Sequence, residues 1–180
     1  MPVPGRATIR LISRDRVRDH GLVTTYSVRA AAADDIAVLV RGRVRMFEDM
    51  AAYAGTTFDP ALAARIAEES ASLFAAGWGR EHVGWVCELD GGAVASAMVT
   101  LQPWLPHPRY PGGVRAYYHS VHTDPAHRGR GLAKRLTELA IDWAREHGFT
   151  HLVLHASEQG RPIYERLGFT NSSEWILPLG

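Results

Sequence analysis

A chain of 180 residues with 46% hydrophobic and 22% charged residues has the composition of a single globular domain. The formal net charge of +1 argues against a nucleic-acid or membrane partner, and a single cysteine, Cys87, excludes an intramolecular disulfide. Neither a membrane-spanning apolar run nor the apolar core of a secretory signal is visible, so we expect a cytoplasmic protein.

The first 22 residues differ in pattern from the rest of the chain and are predicted to form an N-terminal extension. Five arginines occur by residue 18, and they alternate with apolar residues without a clear period. A solvated tail, an additional strand and a dimer contact are all compatible with this pattern. Residues 23–180 are predicted to form one domain.

The remaining chain alternates between the periodicities of strands and helices. A strand begins near Thr24 and precedes two helices, of which the second has Asp59 as its N-cap and Pro60 in its first turn. A β-hairpin with its turn at residues 90–92 follows, and a proline-rich loop comes next. The loop leads into another strand, residues 114–123.

The second half of the chain continues with a strongly amphipathic helix that starts near Leu132 and ends at Gly148. A strand over 151–157, a short helix over 160–168 and a closing strand over 169–179 follow. The strand–helix–strand order implies a parallel pair, whereas the hairpin implies antiparallel neighbours. The predicted fold is therefore α/β, or α+β, with helices flanking a mixed central sheet.

The turn Arg128-Gly129-Arg130-Gly131 stands at the start of the amphipathic helix. The first N–H groups of a helix have no partner within it, and the helix dipole is positive there. Glycine lets a ligand approach the backbone, and arginine adds charge and forked donors. The turn therefore predicts an anion site, most naturally for phosphate, although many helices begin with such residues without binding a ligand.

Three motifs, in order over residues 117–169, resemble the GCN5-related N-acetyltransferases. Arg128-x-x-Gly131-x-Ala133 matches that family's Arg/Gln-x-x-Gly-x-Gly/Ala signature, and the segments AREHGFTHLVLHAS and PIYERLGF resemble its next strand and its short C-terminal helix. The resemblance implies a single domain with splayed strands at the cofactor site. It also implies an N-acyltransferase that moves acetyl from acetyl-CoA to a primary amine of a small molecule or peptide by direct attack in a ternary complex. Homodimers are common in that family, and no metal is expected.

The resemblance further implies where coenzyme A binds. Backbone N–H groups of the turn are expected to hold its pyrophosphate, the strand before the turn is expected to pair with its pantetheine arm, and the N–H of Val121 is expected to polarise the thioester carbonyl. Ser157 stands where the family often has asparagine, and Arg161 either contacts phosphate or is solvated. The residues expected at the cofactor are Val121, His122, Thr123, Arg128, Gly129, Arg130, Gly131, Leu132, Ala133, Lys134, Ser157 and Arg161.

Tyr164 aligns with the family tyrosine that protonates the leaving thiolate, with a core packing role as the alternative. Tyr117 stands where some members carry a catalytic glutamate, and no carboxylate occurs from residue 91 to 123. Alternation along the strand predicts that residues 117, 119, 121 and 123 share one face. His119 is therefore the candidate base, with a structural histidine, or a water chain positioned by Tyr117, as alternatives.

Histidines at 119, 122 and 127 invite comparison with a metal site, but the same alternation predicts that His122 faces away from His119. The resemblance implies that the acceptor amine lies between the first two helices, the hairpin and the C-terminal strand. Acids near aromatic rings suit a cationic amine, although a solvated helix end is equally compatible. The residues expected at this site are Phe47, Glu48, Trp104 and Trp175.

Two other classes of function stay open. One is a regulatory module that binds acyl-CoA without catalysis, against which the complete turn and Tyr164 argue. The other is a nucleic-acid-binding protein, against which the near-zero net charge argues. The basic side chains that such a protein would use are Arg41, Arg43, Arg45, Arg128, Arg130, Lys134 and Arg135.

Overall fold

The computed structural model describes residues 12–19, 22–108, 110–172 and 177. The strands are β1 (Ile12–Asp19), β2 (Leu22–Ala30), β3 (His82–Leu89), β4 (Gly92–Pro103), β5 (Val114–Thr123) and β6 (Leu152–Val153). The helices are α1 (Ile36–Tyr53), α2 (Pro60–Gly77), α3 (Leu132–Glu146) and α4 (Arg161–Arg166). From β2 to α4 this is the predicted order of elements.

The strands form one sheet in the order β1-β2-β3-β4-β5-β6. Neighbours are antiparallel from β1 to β5, and β5 pairs with β6 in parallel. The mixed sheet predicted from the hairpin and the strand–helix–strand unit is thereby confirmed. β6 pairs over two residues, so it is shorter than the strand predicted over 151–157.

Apolar clusters cover both faces of the sheet. One cluster joins Leu39 of α1 and Phe74 of α2 to β3 and β4. The other joins the buried stripe of α3, which includes Leu136 and Trp143, to the opposite sheet face, and Tyr164 of α4 packs against it. Helices therefore flank both faces of the sheet, and the α/β expectation is confirmed.

The helix boundaries follow the sequence signals. The Asp59 carboxylate accepts a hydrogen bond from the N–H of Ala61 at 2.9 Å, and Pro60 is the first residue of α2. Gly148, in the left-handed conformation with φ 74°, follows the end of α3. Within the described part of the chain, none of the helices combines the length and the apolar character that crossing a membrane requires.

β1 pairs with β2 over eight residue pairs, from Ile12↔Arg29 to Asp19↔Leu22. The additional strand, one of the three alternatives for the N-terminal residues, is thus the one observed over 12–19. The domain boundary after residue 22 stays a prediction. Residues 169–172 are not a strand, and most of the predicted closing strand, with Trp175, lies outside the described residues.

Candidate active site

β5 and β6 separate shortly after they meet. They pair at Ala116↔Leu152 and Tyr117↔Val153, and among the described residues no further pair joins them. Beyond Tyr117 the edge of β5 that faces β6 is therefore open. We call this opening, between residues 118–123 and 154–157, the fork.

A β-bulge lies in the part of β5 that borders the fork. The register with β4 passes from Met98↔His119 to Ser96↔His122, so that Ser120 and Val121 together face one residue of β4. Ser120 has a positive φ of 54°, an uncommon conformation for a residue with a side chain. A bulge of this kind leaves one residue of the strand out of the ladder.

Because of the bulge, the side chains of β5 do not alternate between the two faces as the sequence predicted. Val121 packs against the α3 cluster, whereas His122 lies 3.4 Å from Asp49 of α1. His119 also lies on the helix α1 and α2 side, 6.2 Å from the Phe74 ring. The prediction that residues 119 and 121 share a face, with His122 opposite, is therefore wrong, because the inserted residue reverses the pattern.

His119 and His122 thus share a face, while His127 contacts the Tyr26 hydroxyl at 3.1 Å. The separation across faces that argued against a metal does not exist. Over residues 24–108 and 110–172, no group of three or more His, Cys, Asp or Glu side chains is placed to hold one ion.

The glycine turn is open where a ligand would need space. Gly129 and Gly131 have φ values of 76° and 77°, and a Cβ at either position would meet no atom within 4 Å. Gly131 is the N-cap of α3, and its carbonyl accepts the first helical hydrogen bond from Arg135 at 2.9 Å. The turn therefore presents a helix N-terminus with nothing packed over its glycines.

The arginines of this turn brace it against other elements. The Arg128 guanidinium donates to the Thr123 carbonyl at 3.0 Å and also to the Asp49 carboxylate. Arg130 donates to the Tyr26 hydroxyl at 3.0 Å. Both guanidinium groups thus fix the backbone of the turn, a role that the sequence argument, which saw them only as phosphate donors, did not predict.

His122 lies at the centre of a charged cluster between α1 and the end of β5. Its ring nitrogens lie 3.4 Å from Asp49 and 3.8 Å from Asp124, and Arg45 binds Asp124 at 2.8 Å. Burial lowers the pKa of His122 below its usual value, and the two carboxylates oppose this shift only in part. The side chain is therefore inside the protein, and only the backbone of His122 is left for the expected cofactor contact, which stays a prediction.

Tyr164 lies on the α3 side, beside the loop that forms the second wall of the fork. A Cβ on Gly160 would come within 3.0 Å of the Tyr164 ring and 3.2 Å of the Ser157 hydroxyl, so this glycine allows the two side chains to approach. Burial raises the pKa of Tyr164 to about 12. The phenol is therefore protonated at neutral pH, as a proton donor must be.

His119 has both ring nitrogens in hydrogen bonds. Nε2 lies 2.6 Å from the Thr100 hydroxyl, and Nδ1 lies 2.8 Å from the Ser120 hydroxyl, which also accepts from Arg43. Burial, with the nearby charge of Arg43, lowers the pKa of His119 to about 3. These contacts favour the structural alternative, and the role of His119 as base stays a prediction.

Tyr117 lies at the mouth of the fork. Its ring stacks on that of His119, with centroids 5.5 Å apart and planes 17° apart, and its hydroxyl lies 2.8 Å from Nδ1 of His155. His155 was not among the residues predicted for the site. Its contact with Tyr117 joins residues 38 apart, so no local pattern in the sequence indicates it.

A family model described as the acetyltransferase (GNAT) family matches residues 47–169, more than half of the chain. The protein belongs to this family. The GCN5-related N-acetyltransferase of Ralstonia eutropha JMP134 superposes with a TM-score of 0.76 at 28% identity, over 86% of this chain and 98% of that one. A predicted acetyltransferase of Clostridium acetobutylicum, solved with acetyl-CoA, gives a TM-score of 0.72 at 25% identity, over 85% and 95%.

Among curated proteins, glucosamine 6-phosphate N-acetyltransferase of Trypanosoma brucei brucei is 37% identical over 81 residues. These residues are 44% of this chain and 52% of that protein, so the chain spans about half the length of this relative. The resemblance to the GCN5-related N-acetyltransferases, predicted from three motifs, is confirmed.

In this GNAT domain the described residues of the expected acceptor site lie on α1 and in the loop after β4. Phe47 stacks on Phe58, with centroids 5.8 Å apart, and Arg43 lies over its ring at 5.1 Å. Trp104 lies in the loop after β4, and the guanidinium carbon of Arg115 lies 3.6 Å from the centroid of its ring. Glu48 is exposed on α1, and Trp175 is not among the described residues.

The basic residues considered for nucleic-acid binding are largely paired with acids. Four of them form ion pairs, and Arg43 donates to Ser120. The pairs are Arg45–Asp124, Arg128–Asp49, Lys134–Glu138 and Arg135–Glu138. A basic side chain that is already paired with an acid is less available to neutralise a nucleic-acid phosphate. The structure therefore gives no support to the nucleic-acid alternative.

Proposed function

We propose that this protein is an acetyl-CoA-dependent N-acetyltransferase that acts on a primary amine of a small molecule or peptide. The observation that carries the proposal is the fork, whose open β5 edge leads from the bulge at Ser120 to the glycine turn at the start of α3. A strand edge and a helix N-terminus in this order suit a ligand with an amide-containing arm and a pyrophosphate.

The residues of the turn fit the pyrophosphate. The absence of side chains at Gly129 and Gly131 leaves the first N–H groups of α3 accessible, and any larger side chain there would enter the same open space. The groups proposed to hold it are the backbone N–H groups of Gly129, Arg130, Gly131, Leu132 and Ala133. Arg128 and Arg130 add positive charge from their braced positions. Lys134 and Arg161 stay predicted contacts.

Residues Val121 to Thr123 are proposed to pair with the pantetheine arm through their backbone. Acetyl-CoA supplies the activated acetyl thioester at the fork. The bulge supports a role for the Val121 N–H, because a bulged strand carries backbone groups that the neighbouring strand does not use. An N–H fixed by the sheet can stabilise the negative charge that develops on the thioester oxygen.

Tyr164 is proposed to give its proton to the departing thiolate. Its protonated state at neutral pH and its place beside Ser157, on the wall opposite β5, support this role. The acceptor is proposed to approach from the side of Phe47 and Trp104. An amine of a small molecule, such as that of the amino sugar named for the trypanosomal relative, is one candidate class. A homodimer and a cytoplasmic location stay predictions.

Calorimetric titration with acetyl-CoA tests the proposal. We expect wild-type protein to bind with a dissociation constant on the order of micromolar. Gly131→Glu should weaken binding at least about tenfold, since it places bulk and negative charge where the pyrophosphate binds. Gly148→Glu is the matched control, because Gly148 has the same left-handed conformation and the same open surroundings at the other end of α3. Equal losses in both variants, or no binding by the wild type, would count against the proposal.

A further inference from the structure

Two arginines near the fork have no acidic partner. Among the side chains that the structure describes, neither Arg43 of α1 nor Arg115 of β5 forms an ion pair with an aspartate or glutamate. Arg43 donates through Nη1 to the Ser120 hydroxyl at 3.0 Å, and Arg115 donates through Nε to the Gln102 side-chain oxygen at 2.8 Å. These partners accept a hydrogen bond, but they are neutral and leave both positive charges uncompensated.

Arg43 carries its charge in a place that is partly shielded from water. It is half-buried, and burial lowers its pKa because the charged form is partly withdrawn from solvent. A guanidinium has five N–H donors in one plane, of which the Ser120 hydroxyl uses one. The other donors of Arg43 make no hydrogen bond with the described residues, so they are available to an anion.

Arg115 is connected to Arg43 by a chain of contacts. Its guanidinium carbon lies 3.6 Å from the ring centroid of Trp104 and 5.8 Å from that of Tyr117. The Tyr117 ring stacks on His119, and Nδ1 of His119 lies 2.8 Å from the hydroxyl that accepts from Arg43. Both arginines therefore border the stacked rings of Tyr117 and His119 at the mouth of the fork.

The acids that would attract a cationic acceptor are exposed or already paired. Glu48 is exposed on α1, and the carboxylate of the next residue, Asp49, accepts from Arg128. No aspartate or glutamate occurs from residue 91 to 123, a range that includes β4 and β5. The half-buried charges on the proposed acceptor side are therefore those of the two arginines, which repel a polyamine and attract an anion.

We propose that the acceptor carries an anionic group, a phosphate or a carboxylate, besides its primary amine, and that Arg43 and Arg115 bind this group. The inference rests on the proposed function and narrows the acceptor to one class of amine. A guanidinium can donate two parallel N–H···O bonds to either anion. The rings of Phe47 and Trp104, against which the two guanidinium groups lie, restrict their orientation without occupying these donors.

The test compares amines that differ in the anionic group. Glucosamine 6-phosphate is paired with glucosamine, and L-alanine is paired with L-alaninamide, so that phosphate and carboxylate are tested separately. Release of the coenzyme A thiol at saturating acetyl-CoA gives kcat/KM for each amine. We expect the wild type to prefer the anionic member of at least one pair by about 10- to 100-fold, the size expected for hydrogen bonds to a charged group.

Substitutions of the two arginines separate anion binding from a structural role. Arg43→Gln and Arg115→Gln should each lower kcat/KM for the preferred anionic amine by about 10- to 100-fold. Both should leave kcat/KM for its neutral partner and KM for acetyl-CoA unchanged, since neither depends on the anion. Because each variant is compared with the wild type on the same amines, differences in amine pKa cancel.

Arg41→Gln is the matched control. It removes the same charge from an exposed position of α1, two residues from Arg43, and it should keep the wild-type preference for the anionic amine.

Three results would overturn the inference. The first is a wild type that acetylates spermidine, or the neutral member of each pair, as well as the anionic amines. The second is an equal loss for both members of a pair in Arg43→Gln and Arg115→Gln, which indicates a structural role. The third is binding of acetyl-CoA without acetylation of either anionic amine. By contrast, failure of the wild type to bind acetyl-CoA in the calorimeter counts against the proposed function itself.

Discussion

Asp49 near the end of α1 accepts a hydrogen bond from Arg128 in the turn that precedes α3, although the two residues are 79 positions apart in the chain. The same carboxylate oxygen lies 3.4 Å from His122. Arg128 also donates to the carbonyl of Thr123, the last residue of β5. One helix on one face of the sheet is thereby connected to the turn that starts the helix on the other face.

This connection predicts that Asp49 and Arg128 act as a unit in binding acetyl-CoA. Arg128→Ala should weaken binding because the turn loses its brace, and Asp49→Ala should weaken it for the same reason. The double variant should be no weaker than Arg128→Ala, with a coupling free energy of about 1 kcal/mol. Calorimetric titration of the wild type, the two single variants and the double variant with acetyl-CoA measures this coupling as a double-mutant cycle.

If Arg128 had a different role, the acetyl-CoA affinities of these four proteins would follow a different pattern. If its guanidinium bound the pyrophosphate directly, Asp49→Ala would free it and leave acetyl-CoA affinity unchanged or improved. Additive losses would also contradict the bracing role, since additivity is the behaviour of independent sites.

Tyr164→Phe should separate chemistry from binding. Phenylalanine keeps the ring contact with Phe169 but has no proton to give, so kcat should fall about 100-fold while acetyl-CoA affinity stays the same. Steady-state kinetics and calorimetry on one preparation measure both. Tyr53→Phe, which removes an exposed phenol at the end of α1, should leave both unchanged. A Tyr164→Phe variant with wild-type kcat would assign Tyr164 to packing alone.

Local signals in the sequence predicted much of this fold. β5 spans the predicted residues 114–123, and α2 begins at Pro60 because Asp59 caps it. The motifs placed the glycine turn at the start of α3. Each of these features depends on residues close together in the chain, and such interactions can be seen in a sequence.

The remaining features of the site depend on contacts between distant residues. The bulge places Ser120 at a positive φ, and a serine gives no signal of it, yet one inserted residue moved His122 to the side of His119. The short β6 reflects separation from β5 and not a poor strand sequence. The Tyr117–His155 hydrogen bond joins residues 38 apart across that separation.

Acid should destabilise the wild type in part through His119. Its pKa is about 3 in the folded protein and near 6.5 in an unfolded chain, so between these values the unfolded state binds the proton. Stability therefore falls as the pH drops below 6.5, by up to about 1.4 kcal/mol per pH unit. Urea unfolding at pH 7.5 and 5 should show a smaller decrease for His119→Gln than for the wild type.

Other titratable groups also contribute to the pH dependence of stability in that experiment. His82 and His122 also have a pKa lowered by burial, so His119→Gln should keep part of the pH dependence. Asp35, whose pKa Arg29 holds down, loses its stabilising charge only at lower pH, as pH falls through its folded-state pKa. Equal decreases in wild type and His119→Gln would show that the imidazole of His119 is accessible to protons in the folded protein.

Gly42 should prove essential to the contact between α1 and β4. An ideal Cβ at this position would lie 2.4 Å from the hydroxyl of Ser96, which is buried, so Gly42→Ala should destabilise the fold by about 1–3 kcal/mol. This reverses the usual result in a helix, where alanine is more favourable than glycine by up to about 1 kcal/mol. In a Ser96→Ala background the obstructing oxygen is gone, and the nearest remaining atoms lie at 3.7–3.8 Å. In this background Gly42→Ala should stabilise the protein, as measured by urea unfolding against Ser96→Ala alone. A loss of stability in both backgrounds would mean that the backbones of α1 and β4 are too close for any side chain.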